Sequence, residues 1–247
     1  MANPQGSPSP RTASWRARIV LGAFDVLYRN AALYWLASTI PFAGQWRTWQ
    51  RLALPRVQGH DVLEVGCGPG WLLADMLAAG YACHAIDASP QMVRAARRTV
   101  QRRQLTAAAD TVQQARAQAL PFADASFDTV VSTFPAPYIH DPASLREIAR
   151  VLRPGGRLIV VEGANLLPNG PWLRVLVGLG RVVYGQATAE PPNVDHLAAL
   201  ARRIPMVQAG LRASQEIIAS PLWRAYLAIG EKVSLSHSDN EASGKNW

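Results

Sequence analysis

The chain has 247 residues, of which 49% are hydrophobic and 17% charged, and carries a formal net charge of +8. That composition supports a buried core and excludes a disordered chain, while two cysteines, Cys67 and Cys83, exclude a disulfide framework or a cysteine metal cluster and fit a reducing cytoplasm. The charge is almost wholly arginine, since Lys232 and Lys245 are the only lysines, and it favours anionic partners: nucleic acid, acidic lipid or an acidic substrate.

Residues 1–14 are rich in Pro, Ser and Gly, lack the charged-then-apolar order of a signal peptide, and read as a disordered N-terminus. Residues 15–56 read as a helical cap. They hold Trp15, Trp35, Trp46 and Trp49, and Ile19, Phe24, Leu27, Tyr28, Leu33 and Leu36 recur at helical spacing, with a break near Pro41 and Gly44. The uncharged run 30–46 is shorter than the roughly 20 apolar residues of a spanning helix.

From residue 57 to 233 the pattern is that of one α/β domain. Asp61 to Val65 reads as a buried strand, Trp71 to Ala79 as a helix, and Ala82 to Ile86 as the second strand. Ser89 to Arg103 reads as a helix with Ser89 as its N-cap and Pro90 in the first turn. Its arginines, Arg94, Arg97, Arg98, Arg102 and Arg103, read as a solvated face. Strands follow at Thr111 to Ala115 and Phe127 to Ser132, then a helix at Asp141 to Leu152 halted by Pro154-Gly155-Gly156, then a strand at Arg157 to Val161. Such alternation means parallel strands with right-handed crossovers. Residues 163–193 read as a lid-like insertion around an apolar helix at Trp172 to Tyr184. A helix at Val194 to Ala209 and strands at Leu211 to Ile218 and Leu222 to Ile229 form an antiparallel finish, and 234–247 reads as a flexible tail. The expected fold is thus a doubly wound, Rossmann-like, seven-stranded and mostly parallel sheet with an N-terminal helical cap.

The strongest local signal is Glu64-Val65-Gly66-Cys67-Gly68-Pro69-Gly70, a strand running through a glycine turn into a helix. The spacing is G-x-G-x-G. Trp71 stands where the dinucleotide fingerprint wants a glycine, and no Gly-Lys-Ser/Thr follows to make a phosphate loop. Asp87 ends the second strand about 20 residues on, where a carboxylate accepts ribose hydroxyls. Together they indicate an adenosine-type ligand at the switch point of the sheet.

These motifs continue with Ile86-Asp87-Ala88-Ser89-Pro90, Leu120-Pro121-Phe122 with Ser126-Phe127-Asp128, and Glu147 to Gly156, all in order. The stretch from Val57 to Glu162 resembles the class I methyltransferases, in particular the group that includes the ubiquinone/menaquinone-biosynthesis methyltransferases. The resemblance implies S-adenosylmethionine as cofactor, and no metal site is expected. Glu64, Gly66, Gly68 and Gly70 would line its methionine and ribose parts and Asp87 would hold the ribose. Ala88 and Met92 would flank the adenine, and Ser132 and Thr133 would border the methyl-donor end. Arg116 departs from the family, which often has an acid there to bond the adenine amino group. Arginine has no acceptor, which leaves Ala117 and Gln118 to carry adenine recognition.

Methyl transfer needs alignment, a dry site and sometimes a base. Tyr138 and His140, after the fourth strand, are the candidates for meeting a substrate proton. Thr133-Phe134-Pro135-Ala136 stands where an Asn-Pro-Pro-Tyr stretch would mark methylation of amide or base nitrogens. The favoured reading is a cytoplasmic enzyme methylating a small apolar or amphiphilic acceptor (quinone precursor, lipid or secondary metabolite), with contact to a membrane surface through its apolar segments and arginines. A nucleic-acid methyltransferase and a non-catalytic adenosyl-binding module remain as alternatives.

Overall fold

A computed structural model describes residues 42–105, 111–135, 137–167, 170–171, 174–175, 178 and 204–233. The first described helix, α1 (Trp46–Gln50), runs into a 3-10 turn (Arg51–Arg56) and then into β1 (Asp61–Val65). There follow α2 (Trp71–Ala78), β2 (Ala82–Asp87), α3 (Pro90–Arg102), β3 (Val112–Gln114), β4 (Phe127–Thr133), α4 (Pro142–Val151), β5 (Leu152–Leu166), β6 (Leu211–Ala219) and β7 (Trp223–Lys232). The seven strands form one sheet in the order β3-β2-β1-β4-β5-β7-β6. β1 to β5 are parallel, and β7 enters antiparallel between β5 and β6. The chain therefore reverses direction across the sheet at β1, the switch point at which doubly wound sheets bind ligands beyond their carboxyl ends.

Alternate residues of the central strands feed two separate cores. Val62, Val131, Ile159 and Val161 pack on one face with Trp49, Leu72, Leu73, Met76 and Val93. Leu63, Val65, Val130, Leu158 and Val160 pack on the other with Leu145, Ile148 and Met206. The strands are buried on both sides, which is why they read as continuous apolar runs. Local signals fix the helix ends as expected: Ser89 accepts from Met92 N (3.4 Å) and Asp141 from Ala143 N (2.9 Å), each ahead of a proline in the first turn. On α3, Arg94, Arg97, Arg98, Arg102 and Arg103 are all exposed, and two of them also make contacts, Arg97 donating to the carbonyl of Val112 and Arg103 to Asp75.

Three expectations change. β5 begins at Leu152 and ends at Leu166, longer at both ends than 157–161, because it pairs with Phe127 across a bulge and with β7 as far as Trp223. β7 runs to Lys232, whose ammonium donates to the carbonyls of Ala149 and Leu152 at 2.6 and 2.7 Å and so satisfies the last turn of α4. The helix read to Ala209 does not continue there. Pro205 has no N–H to donate, and a short 3-10 turn, Val207–Ala209, closes with Gly210 in the left-handed region. The expected disorder of 1–14, most of the helical cap, the bulk of the lid around 172–184, the helix from 194 and the tail 234–247 lie outside the described residues.

Candidate functional site

β1 carries Glu64 and Val65 to the carboxyl edge of the sheet, and the chain leaves the sheet at Gly66. The backbone N–H groups of Gly66 and Cys67 both donate to the carbonyl of Ile86 (2.9 and 3.0 Å), which ties the turn to the end of β2. Gly66, Gly68 and Gly70 have φ of +74°, +52° and +74°, where any Cβ is strained. Two of them also permit a close approach. A Cβ on Gly70 would lie 2.8 Å from Ala96 Cβ, so glycine lets α3 pack hard against the turn. A Cβ on Gly66 would lie 2.4 Å from the hydroxyl of Tyr138.

Two carboxylates flank this turn. Asp87, the last residue of β2, accepts from Gly68 N through Oδ2 (2.9 Å) and from Ser89 N through Oδ1 (2.8 Å). Burial raises its pKa above the ordinary value against these two N–H groups. Each oxygen keeps a free acceptor site, since a carboxylate offers about four. Glu64 is 1% exposed; its carboxyl accepts from the backbone of Leu73, while its Oε2 has no hydrogen-bond partner among the described residues. Burial first, and then the charge of Asp87, push its carboxyl up to about 8. A buried acid beside a glycine turn, with an oxygen unsatisfied, fits a ligand that brings a positive charge or a donor. A glycine-rich turn and a second carboxylate with acceptors to spare fit the adenosine part of such a ligand.

Ser132 and Thr133 end β4 beside β1. The hydroxyl of Tyr138, from the 3-10 turn Pro137–His140, donates to the carbonyl of Val65 (2.9 Å) and lies 2.7 Å from Ser132 Oγ. Ser132 Oγ also donates to that carbonyl (3.0 Å). Two hydroxyls thus close on one carbonyl where β1 parts from the sheet. The structure brings Glu64, Gly66, Gly68, Gly70, Asp87, Ser132, Thr133 and Tyr138 to one edge. Ala88 is exposed in the loop after Asp87, Met92 is fully buried, and His140 is exposed at the end of its turn. Ala117 is 6% exposed, and Gln118 donates to Asp141 Oδ2 (3.0 Å). Arg116 is exposed in a tight turn bridged to Ala119. Among the described residues there is no cluster of groups that would hold a metal ion.

Sequence reasoning missed what α1 contributes. Gln50 donates through Nε2 to Thr133 Oγ1 (3.2 Å), and Trp46 stacks on Phe134 with ring centroids 4.1 Å apart. Phe42 meets both Trp46 and Trp49, at 5.2 and 5.6 Å. Phe134 itself sits at φ +48°, a conformation that a bulky residue adopts at a cost. Arg47, Arg51 and Arg103 converge on Asp75 of α2. Burial works against that carboxylate's charge, but Arg51, Arg103 and Arg47 outweigh it and hold the pKa down to about 2. The clustered tryptophans were the visible signal of this region, but nothing in the sequence pairs them with residue 134.

Residues 63–160 match the methyltransferase domain family. The demethylmenaquinone methyltransferase of Mycobacterium sp. (strain JLS) is 39% identical over 147 residues, covering 58% of this chain and 59% of that protein. The malonyl-[acyl-carrier protein] O-methyltransferase of Erwinia billingiae is 39% identical over 105 residues, 42% of this chain and 39% of its own length. The chain therefore spans less than two thirds of either relative. A protein of Methanococcus maripaludis assigned as an S-adenosyl-L-methionine-dependent methyltransferase shares the fold with a TM-score of 0.60 at 18% identity, over 84% of this chain and 94% of that one.

Proposed function

We propose that this chain, which carries a class I methyltransferase domain at residues 63–160, transfers the methyl group of S-adenosylmethionine to a small apolar or amphiphilic acceptor. The observation that carries the reading is the glycine turn at the switch point, flanked by the buried Glu64, whose Oε2 is without a partner among the described residues, and by Asp87. In this assignment Asp87 takes the ribose hydroxyls with its spare acceptors and Glu64 takes the ammonium group of the methionine part. Gly66, Gly68 and Gly70 hold the left-handed backbone of the turn against which the ligand would lie. Bound there, the cofactor supplies an electrophilic methyl group on sulfur.

The chain's own part is alignment and the exclusion of water. Tyr138 and Ser132 fix the carbonyl of Val65 and so the point at which the glycine turn leaves the sheet. Tyr138 serves as a positioning residue, because its proton is directed at that carbonyl. The acceptor enters past Thr133 and Phe134, under α1. The aromatic wall formed by Trp46 and Phe134 suits an apolar acceptor, and the relatives' names point to small carbon skeletons, a menaquinone precursor and a malonyl thioester. No helix among the described residues is long and apolar enough to cross a membrane. In this reading a lipid-like acceptor is met at a surface.

The test is calorimetry with S-adenosylhomocysteine, followed by a methylation assay of an amphiphile panel against tRNA. Asp87→Ala should weaken binding by about 1.5–3 kcal/mol, the usual worth of a hydrogen bond to a charged group. Binding of a nicotinamide dinucleotide in place of the adenosyl ligand refutes the cofactor assignment. Methylation of tRNA with none of the amphiphiles refutes the acceptor assignment.

A further inference from the structure

β6 ends the sheet beyond β7, and among the described residues nothing pairs with its outer edge. It lacks the usual devices that keep an edge bare. It contains no proline and pairs with β7 along its whole length without a bulge. Arg212, Ala213, Ser214, Gln215 and Ile217 are exposed, Ile217 to 49%. Its two charged residues, Arg212 and Glu216, are of opposite sign.

Two bonds fix which backbone groups face outward. The N–H of Ser220 donates to the carbonyl of Trp223 (2.8 Å), closing the hairpin with β7, whereas the N–H of Leu211 donates to the carbonyl of Met206 (3.0 Å), outside the sheet. Alternate residues of an antiparallel ladder bond to the same side. The even-numbered residues of β6 therefore bond to β7, and Ala213, Gln215 and Ile217 hold their N–H and C=O groups outward. A second copy of β6, laid antiparallel, matches this alternation when odd residues oppose odd ones. Centred on Ser214, the pairing sets Arg212 opposite Glu216 of the second copy, and the two-fold axis makes that contact twice. Both residues are even, so they meet in the pairs whose side chains lie closer together. Both have capacity for the contact. Glu231, opposite Arg212 on β7, is held by Arg157 (2.8 Å), and Arg212 makes no ion pair among the described residues. Glu216 accepts from Arg56 through Oε2 (2.7 Å from Nε), which leaves Oε1. On the other face the same register covers the exposed Ile217 with Leu211. Centring on Ala213 or Gln215 instead sets Arg212 against Ser214 or Ile218, with no charge to meet.

We propose that the chain forms a two-fold symmetric dimer by antiparallel pairing of β6 with β6 of a second copy, centred on Ser214 and held by two Arg212–Glu216 ion pairs. β6 runs parallel to β5, so the cofactor edges of the two copies lie at opposite ends of the shared sheet and neither is covered. The proposal is independent of the methyltransferase reading.

The experiment uses the full chain. Light scattering over a dilution series should show a dimer that dissociates on dilution. Arg212→Glu and Glu216→Arg each set like charges opposite one another twice and should raise the dimer Kd at least about tenfold. Mixed in equal amounts, the two variants should dimerise again, because every contact of the mixed pair joins a Glu to an Arg. Ser214→Cys should crosslink to itself on oxidation, since residue 214 sits on the axis in a close pair, whereas Gln215→Cys, opposite Ala213, should not. Cys67 and Cys83 are buried and do not compete. A wild type that stays monomeric throughout the series overturns the proposal. So does a dimer that both charge variants leave intact, or a mixture of the two that stays monomeric. Where a charge variant loses its fold by circular dichroism, the crosslink decides: Ser214→Cys chains that link no faster than Gln215→Cys chains overturn the proposal.

Discussion

Replacing Glu64 by glutamine should stabilise the ligand-free protein and cripple cofactor binding. The carboxyl is buried, its Oε2 is unsatisfied, and its pKa stands at about 8, against about 4.3 in an unfolded chain. Between those values the unfolded state gives up a proton that the folded state retains, so ionisation favours unfolding and stability falls as pH rises through that window. At pH 7 the difference is about 2.7 units, and at about 1.36 kcal/mol per unit Glu64 costs the fold about 3–4 kcal/mol. A glutamine amide has no such proton to lose. The gain from the substitution should therefore vanish below about pH 4, reach about 1 kcal/mol at pH 5 and about 3–4 kcal/mol at pH 7, and level off above about pH 8. Denaturant unfolding of the wild type and the variant at four pH values measures it directly. S-Adenosylhomocysteine should bind the variant at least about tenfold more weakly, because the ammonium loses a charged partner. A stability difference that is the same at pH 5 and pH 7 would show that Glu64 is already ionised in the fold and would refute the reasoning.

Three further outcomes follow from the same geometry. Gly70→Ala should cost about 2–4 kcal/mol, from the left-handed backbone together with the contact on Ala96; adding Ala96→Gly should recover only the steric part, and equal stability of Gly70→Ala and wild type in thermal melts would contradict this. Asp75→Asn should cost about 1–2 kcal/mol at pH 7 once the solvent exposure of its three arginines is allowed for. Because that carboxylate's pKa is depressed to about 2, its contribution is complete above about pH 4 and is lost as the pH falls toward 2; acid unfolding curves of variant and wild type should converge there. Arg116→Asp should leave S-adenosylhomocysteine binding intact or tighten it, since the side chain is exposed in the described structure and aspartate adds an acceptor; a tenfold loss in calorimetry would give the arginine a role of its own.

The sequence alone determined whatever depends on neighbouring residues. Alternating apolar runs, a serine or aspartate ahead of a proline, and three glycines at a strand end each constrain their own backbone. β1, β2, α3, α4 and the glycine turn were legible for that reason, as was Asp87, which sits at a strand end a fixed distance along the chain from the glycines. Elements whose limits depend on partners were less legible. β5 extends to Leu166 because β7 is there to pair with it, and β7 extends to Lys232. The edge formed by Thr133, Phe134 and α1 was decided by tertiary structure alone. Gln50 meets Thr133 across 83 positions, Tyr138 meets Val65 across 73, and Arg56 meets Glu216 across 160. Tyr138 was picked out as a proton carrier, but only the sheet order shows its hydroxyl bound to a backbone carbonyl. Trp46 was recognisable as apolar and helical, but its stacking on Phe134 requires β4 to lie beside β1 with α1 folded over both. Hydrophobic burial is non-directional, so a pattern can say that a tryptophan goes inside, whereas the ring it stacks on is fixed by the topology that packs the layers together.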